Sequence, residues 1–86
     1  TSRITVLLKQ RKEEVRVSFR SSSFRESDNE QLEVVDVSKI AKQFGGGGHI
    51  SAAGCSVKKP LEEAQALIIQ ACINAIDDKS FRKKVS

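Results

Sequence analysis

The sequence predicts a mixed α/β (α+β) domain: a small mixed β-sheet with an N-terminal hairpin, a short helix before a glycine-rich loop, and a long C-terminal helix packed on the sheet. Three observations carry that expectation. Apolar residues alternate along residues 3–9 and 14–20, the period of a half-buried strand. They recur at helical spacing from Leu61 to about Asp77. Between these, four consecutive glycines, Gly45 to Gly48, follow a short helical pattern that ends at Phe44.

In the first strand Ile4, Val6 and Leu8 fall on one face, and Thr5, Leu7 and Lys9 on the other. Leu7 makes that second face partly apolar, as expected if a helix covers part of it. Gln10 to Glu13 is a polar turn, and Val15, Val17 and Phe19 alternate cleanly with Glu14, Arg16, Ser18 and Arg20 in the strand that follows. Residues 22–35, rich in Ser, Asn, Gln and charge, read as a long exposed loop and an insertion. Val34 and Val35 either start a short strand or anchor the return. Asp36 or Ser38 caps a helix through Phe44, where Val37, Ile40, Ala41 and Phe44 share a face and Gly45 terminates it.

A second short helix is expected to begin near Ile50 or Ser51, followed by a strand over Gly54 to Lys58 with Cys55 and Val57 inward. Pro60 opens the long helix, giving up only an N–H that has no intrahelical partner, and Glu62 and Glu63 favour its first turn. Leu61, Ala64, Leu67, Ile68, Ala71, Cys72 and Ala75 form its stripe. Ile69, Ile73 and Ile76 widen that stripe, so the helix is expected to meet a second surface, either a further domain or a partner subunit in a homodimer. Lys79 to Lys84 reads as a basic tail or a helix end, with Phe81 as its anchor.

Eighty-six residues make a single domain, 1–86, that buries only roughly 60–65% of the surface its unfolded chain exposes. There is no Trp, Tyr or Met, so the core is small. No apolar run approaches the roughly 20 residues that span a bilayer, and no partner membrane is expected. The chain does not begin with Met, which leads to the expectation of an excised fragment. Cys55 and Cys72 lack CxxC or metal spacing and read as buried free thiols in a reducing, cytoplasmic compartment. The net charge of +4 is uneven: in residues 1–20, six cations against Glu13 and Glu14 already give +4. A basic balance favours polyanions without choosing among them.

The glycine run is where chemistry concentrates. Backbone N–H groups uncovered by Cβ atoms admit a close-approaching anion, and phosphate needs donors in three dimensions plus a delocalised cation. The candidate set is Gly46, Gly47, Gly48, His49, Arg20 and Ser21, with Arg16 and Ser18 behind them. Each has an ordinary reading too: Arg20 as a solvated surface residue, His49 as a local cap, the run as a linker. No Lys-Ser/Thr follows the glycines as in a P-loop, and a helix precedes them where a dinucleotide fold needs a strand. With one His and no carboxylate pair at a sensible position, neither a catalytic residue nor a metal ligand is assigned. This chain is expected to bind and not to cut.

Val17-Ser18-Phe19-Arg20-Ser21, the segment Asp36 to Phe44, and Gly-Gly-Gly-Gly-His-Ile-Ser-Ala-Ala-Gly over residues 45–54 together resemble the C-terminal DHH-associated domain of DHH-family phosphoesterases. The resemblance covers roughly residues 3–76 and lies nearest the bacterial nano-RNase and phosphoadenosine phosphate phosphatase branch and its RecJ-like relatives. It implies a substrate-gripping domain that faces an N-terminal DHH domain of the same polypeptide, where two manganese ions activate the hydrolytic water. It also implies that Arg20, Ser21, Gly46, Gly47, Gly48 and His49 contact short single-stranded RNA or DNA, or a phosphorylated nucleotide such as a nucleoside 3′,5′-bisphosphate. Other relatives are cyclic dinucleotide phosphodiesterases and, more remotely, alanyl-tRNA editing proteins, and a stand-alone nucleic-acid-binding module is the alternative outside the family. Two departures stand out: the metal-bearing domain is not in this chain, and residues 22–35 are longer than the link the family leads one to expect.

Overall fold

A computed structural model describes residues 3–25 and 32–85. Strand β1 (Ile4–Gln10) pairs antiparallel with β2 (Val15–Ser21) in unbroken register from Ile4 opposite Ser21 to Gln10 opposite Val15. β3 (Leu32–Val35) leads into helix α1 (Val37–Lys42), then β4 (Gly47–His49), β5 (Ala52–Val57), helix α2 (Leu61–Asp77), a 3-10 turn (Lys79–Phe81) and β6 (Arg82–Val85). The main sheet has the order β1-β2-β5-β4, and every pairing in it is antiparallel. The mixed α+β architecture with its N-terminal hairpin and long C-terminal helix is the one expected.

Period-2 alternation decides which face of this sheet is dry. Val15, Val17 and Phe19 of β2 and Cys55 and Val57 of β5 are buried, and they share one cluster with Val37, Ile40 and Ala41 of α1 and Ala64, Ile68, Ala71, Cys72 and Ala75 of α2. Both helices therefore cover the same face. Leu7, on the other face, is 66% exposed, so the covering expected there is absent among the described residues. The apolar stripe of α2 is also narrower than its sequence suggests. Leu61, in the first turn, and Leu67, at the stripe's margin, are exposed, as are Ile69 and Ile73 on the far side.

Asp36 caps α1: its Oδ1 accepts from the Ser38 backbone N–H at 3.0 Å and from the Ser38 hydroxyl. At the other end Gly46 N–H reaches Ala41 C=O at 2.9 Å and Gly45 N–H reaches Lys42 C=O at 3.1 Å, with Gly45 at φ 80°. That pair of bonds is a Schellman stop, and it requires the left-handed residue that glycine supplies. The anticipated second helix near Ile50 does not form. Ile50 and Ser51 are instead the two-residue turn between β4 and β5, because their carbonyls are taken by Val37 N–H and Ser21 N–H, and β5 pairs with the glycine strand.

The two described ends of the 22–35 segment are not free loop. Leu32–Val35 pairs with Arg82–Val85 as a second, two-stranded sheet, and Phe24 bridges Glu33. What reads as a basic tail is therefore a strand, with Phe81 packed against the core as its anchor. Residues 26–31 of the presumed insertion lie outside the described residues. Asp78 stabilises the turn before β6 by accepting from Ser80 N–H at 2.9 Å, which holds its carboxyl below the usual carboxylate range.

Cys55 and Cys72 are free and buried, as expected. Burial pushes the Cys72 thiol up to about 11, helped by the neighbouring Cys55. Burial also raises Cys55, against the opposing pull of Arg16. The unfolded chain loses these protons first as pH rises past the ordinary thiol value, so folded-state stability declines from about pH 9 to about pH 11. Urea unfolding across that window is expected to show the decline, and Cys72→Ala to show a shallower one. At neutral pH Ile68→Ala is expected to lower the unfolding free energy by about 2–4 kcal/mol. Ile73→Ala, at an exposed position, should stay within about 0.5 kcal/mol of the parent in the same melts.

Candidate phosphate site

The antiparallel register sets four strands side by side at one end of the sheet. Arg20 of β2 lies opposite Thr5 on one side and Ala52 of β5 on the other, and Ala52 lies opposite His49 of β4. Residues directly opposite one another share a face, so Thr5, Arg20, Ala52 and His49 form one row on the uncovered side. Two strand spacings put the Cα atoms of Arg20 and His49 roughly 10 Å apart. The next row is Leu7, Ser18, Gly54 and Gly47.

Between Arg20 and His49 the floor is made of small residues. A shallow depression of about 340 Å³ is bounded by Ser18 and Arg20 on one wall, Ala52 and Gly54 beneath, and Gly47 and Gly48 on the other. Ala52 and Gly54 leave the backbone nearly bare at its centre, so a tetrahedral anion can settle close to the sheet beside the Arg20 guanidinium, while His49, opposite Ala52 on β4, stands outside the lining of the depression. The strand positions of this face hold the cations Lys9, Arg16 and Arg20 and no carboxylate. Its potential therefore favours negative charge.

The four glycines divide their labour. A Cβ at Gly46 would run into the Gly54 carbonyl oxygen and come within 2.7 Å of the Cys55 Cβ. One at Gly48, whose φ is 146°, would meet the Ala53 Cα at 2.6 Å. These two glycines let β4 lie tightly against β5. Gly47 has open space where a Cβ would stand and faces the depression. Of the sequence-predicted set, Arg20, Gly47 and His49 share the uncovered side, while Gly46 turns inward and Gly48, opposite Ala53, belongs to the row of Phe19 and meets the depression with its backbone alone. Ser21 stands one residue past the row, and its half-buried hydroxyl donates to Ile50 C=O at 3.3 Å. It thereby fastens the turn that follows His49.

Sequence reasoning assigned no role to Gly54 and treated Ala52 only as a small residue for packing. The signal was present in the alternation of small side chains along Ala52-Ala53-Gly54, whose meaning depends on knowing which face is open. A hollow of about 580 Å³ sits at the β1–β2 turn among Arg11, Lys12, Glu13, Glu14 and Arg16. Its mixed charges at an exposed hairpin tip offer no converging donors. Among the described residues no group of three or more His, Cys, Asp or Glu could hold a metal ion. Nor is any helix of the described residues long and apolar enough to cross a membrane.

Comparison with protein families gives a match to the DHHA1 domain over residues 1–77. The chain belongs to the DHHA1 domain family. DHHA1, or DHH-associated, domains accompany DHH-family phosphoesterases as accessory domains, with the DHH domain N-terminal to them in the same polypeptide. The match spans both sheet hairpins, α1 and the whole of α2. It stops short of β6, so the two-stranded sheet β3–β6 is completed by residues beyond it. None of the curated proteins matches the chain.

The close approach of β4 to β5 gives a direct expectation for stability. Gly46→Ala should destabilise the fold by about 2 kcal/mol or more, because the clash is with backbone and cannot be relieved by a side-chain rotation. Gly47→Ala should cost no more than about 1 kcal/mol in the same chemical denaturation experiment.

Proposed function

We propose that this domain holds the phosphate, or terminal nucleotide, of short RNA or of a nucleoside 3′,5′-bisphosphate while a DHH domain of the same polypeptide hydrolyses it. The observation that carries this reading is the row in which Arg20 and His49 stand on either side of Ala52 on the uncovered, cationic face, next to a depression lined by Arg20, Gly47 and Gly54. Arg20 supplies a delocalised charge and up to two parallel hydrogen bonds to phosphate oxygens. His49 and the backbone of Gly47 and Gly48 meet the same group from the opposite wall. The contribution to catalysis is orientation and charge complementarity: a phosphoryl group fixed on a rigid sheet presents a constant angle of attack.

Leu7 adds support from the same face. An exposed leucine beside Ser18 and Arg20 suits burial by a domain that closes over the substrate. The two manganese ions implied by the resemblance belong, on this reading, to that DHH domain, and the described residues of this chain hold no group of three or more ligands for them. Two free buried thiols fit a reducing compartment such as the cytoplasm.

In the full-length protein, Arg20→Ala and His49→Ala are each expected to reduce kcat/KM on a short oligoribonucleotide by about 10–100-fold, the cost of one charge-assisted contact. Lys59→Ala, at an exposed position before α2, should stay within about twofold. Equal losses from all three changes would refute the assignment.

A further inference from the structure

A second concavity opens where the row ends. It is a groove of about 400 Å³ between the Ser21 end of β2, the Ile50–Ser51 turn and β6, with Val34, Lys83 and Val85 on its wall. Ser21 directly follows Arg20, and Ile50 and Ser51 directly join His49 to Ala52, so the groove begins one residue beyond the row that forms the phosphate site. In the β3–β6 pair, Val34 lies opposite Lys83 and Leu32 opposite Val85, while Lys84 lies opposite Glu33 on the alternate face. Lys83 and Lys84 both line the groove; Lys83 shares the face of Val34 and Val85, whereas Lys84 has an acidic cross-strand neighbour in Glu33.

β6 is held firmly enough to present that charge. Asp36 N–H donates to Phe81 C=O at 2.6 Å, Lys39 Nζ to Ser80 C=O at 2.9 Å, and Arg82 Nη2 to Ile76 C=O at 3.2 Å. The Arg82 guanidinium also lies 5.6 Å from the Phe24 ring centroid, and Arg3 lies 4.1 Å from the same ring. The N-terminal strand, the 22–35 segment and the C-terminal strand are tied together at that point.

The lining has two characters. Val34, Ile50 and Val85 offer an apolar wall, whereas Lys83, Lys84 and the Ser21, Ser23 and Ser51 positions offer charge and polar groups. Inorganic phosphate would leave the apolar wall unused. A nucleoside with its backbone phosphate would use both, and continuity with the first site makes the next unit of the same strand the natural occupant.

We propose that this groove seats the second nucleotide of a single-stranded oligonucleotide whose terminal phosphate lies against Arg20 and His49, with Lys83 meeting the intervening backbone phosphate. β6 then sets the preference for an oligonucleotide over a mononucleotide. This inference rests on the proposed phosphate site and extends it.

The test is calorimetric binding of a phosphorothioate trinucleotide and of a mononucleotide to the full-length protein. Lys83→Glu is expected to weaken trinucleotide binding about tenfold and Lys83→Gln about three- to fivefold, with the mononucleotide Kd changed less than about twofold. Arg20→Ala should weaken both ligands. The glutamine variant keeps the side-chain length and preserves the test if charge reversal disturbs the β3–β6 sheet. Lys83 variants that leave the trinucleotide unaffected, or that weaken both ligands equally, overturn the groove assignment while Arg20 still acts. Loss of any Arg20 effect on either ligand overturns the phosphate site itself.

Discussion

The constraint on which the rest of the structure depends is the approach of β4 to β5. Two backbones can lie in register there because Gly46 and Gly48 carry no Cβ where Gly54, Cys55, Ala52 and Ala53 already occupy the space. That pairing turns a run of residues with little intrinsic preference for a strand into the fourth member of the sheet. It also decides where His49 stands, since a slip of one residue would send its side chain to the buried face. Packing compensates for the entropy lost by four ordered glycines, and the position of a candidate ligand group is the result.

The sheet is sided, and its two faces have separate tasks. One is sealed by α1 and α2, whose small residues Ala41, Ala64, Ala71 and Ala75 let the helices come close in a domain with few large side chains. The other is bare, cationic and floored with Ala and Gly in its centre. The described residues place both helices on one face only. Leaving the charged one open avoids the greater cost of burying Arg16 and Arg20 without partners. On the proposed reading, the open face is the side on which an anionic substrate and a closing domain would meet.

The C-terminal strand shows how a short charged segment acquires a fold. Arg82-Lys83-Lys84-Val85 has no alternation that would announce a strand, and its partner Leu32–Val35 lies far away in sequence. Phe81 in the core, the Asp78 turn and the contacts of Arg82 with Ile76 and Phe24 bring it into place. Local reading could see the anchor but not what the anchor serves. For the same reason the expected helix at Ile50 was lost to a turn: the competing hydrogen bonds come from Ser21 and Val37, in other elements.

By itself the sequence determined the local structure: the β1–β2 hairpin through its period-2 apolar residues, α1 through Asp36 and its glycine stop, and α2 from Leu61 to Asp77 through Pro60 and helical spacing. It also marked Arg20, Gly47, Gly48 and His49 as worth bringing together, because their chemistry suits an anion. Only the tertiary structure decided that Arg20, Gly47 and His49 share a face, that Gly46 and Gly48 serve packing, that Ser21 holds a turn, and that Leu7 and Leu67 remain exposed. The division follows from the range of the forces. Capping and periodicity act over a few residues and are written in the chain, whereas register and burial depend on which distant backbone supplies the other half of each hydrogen bond.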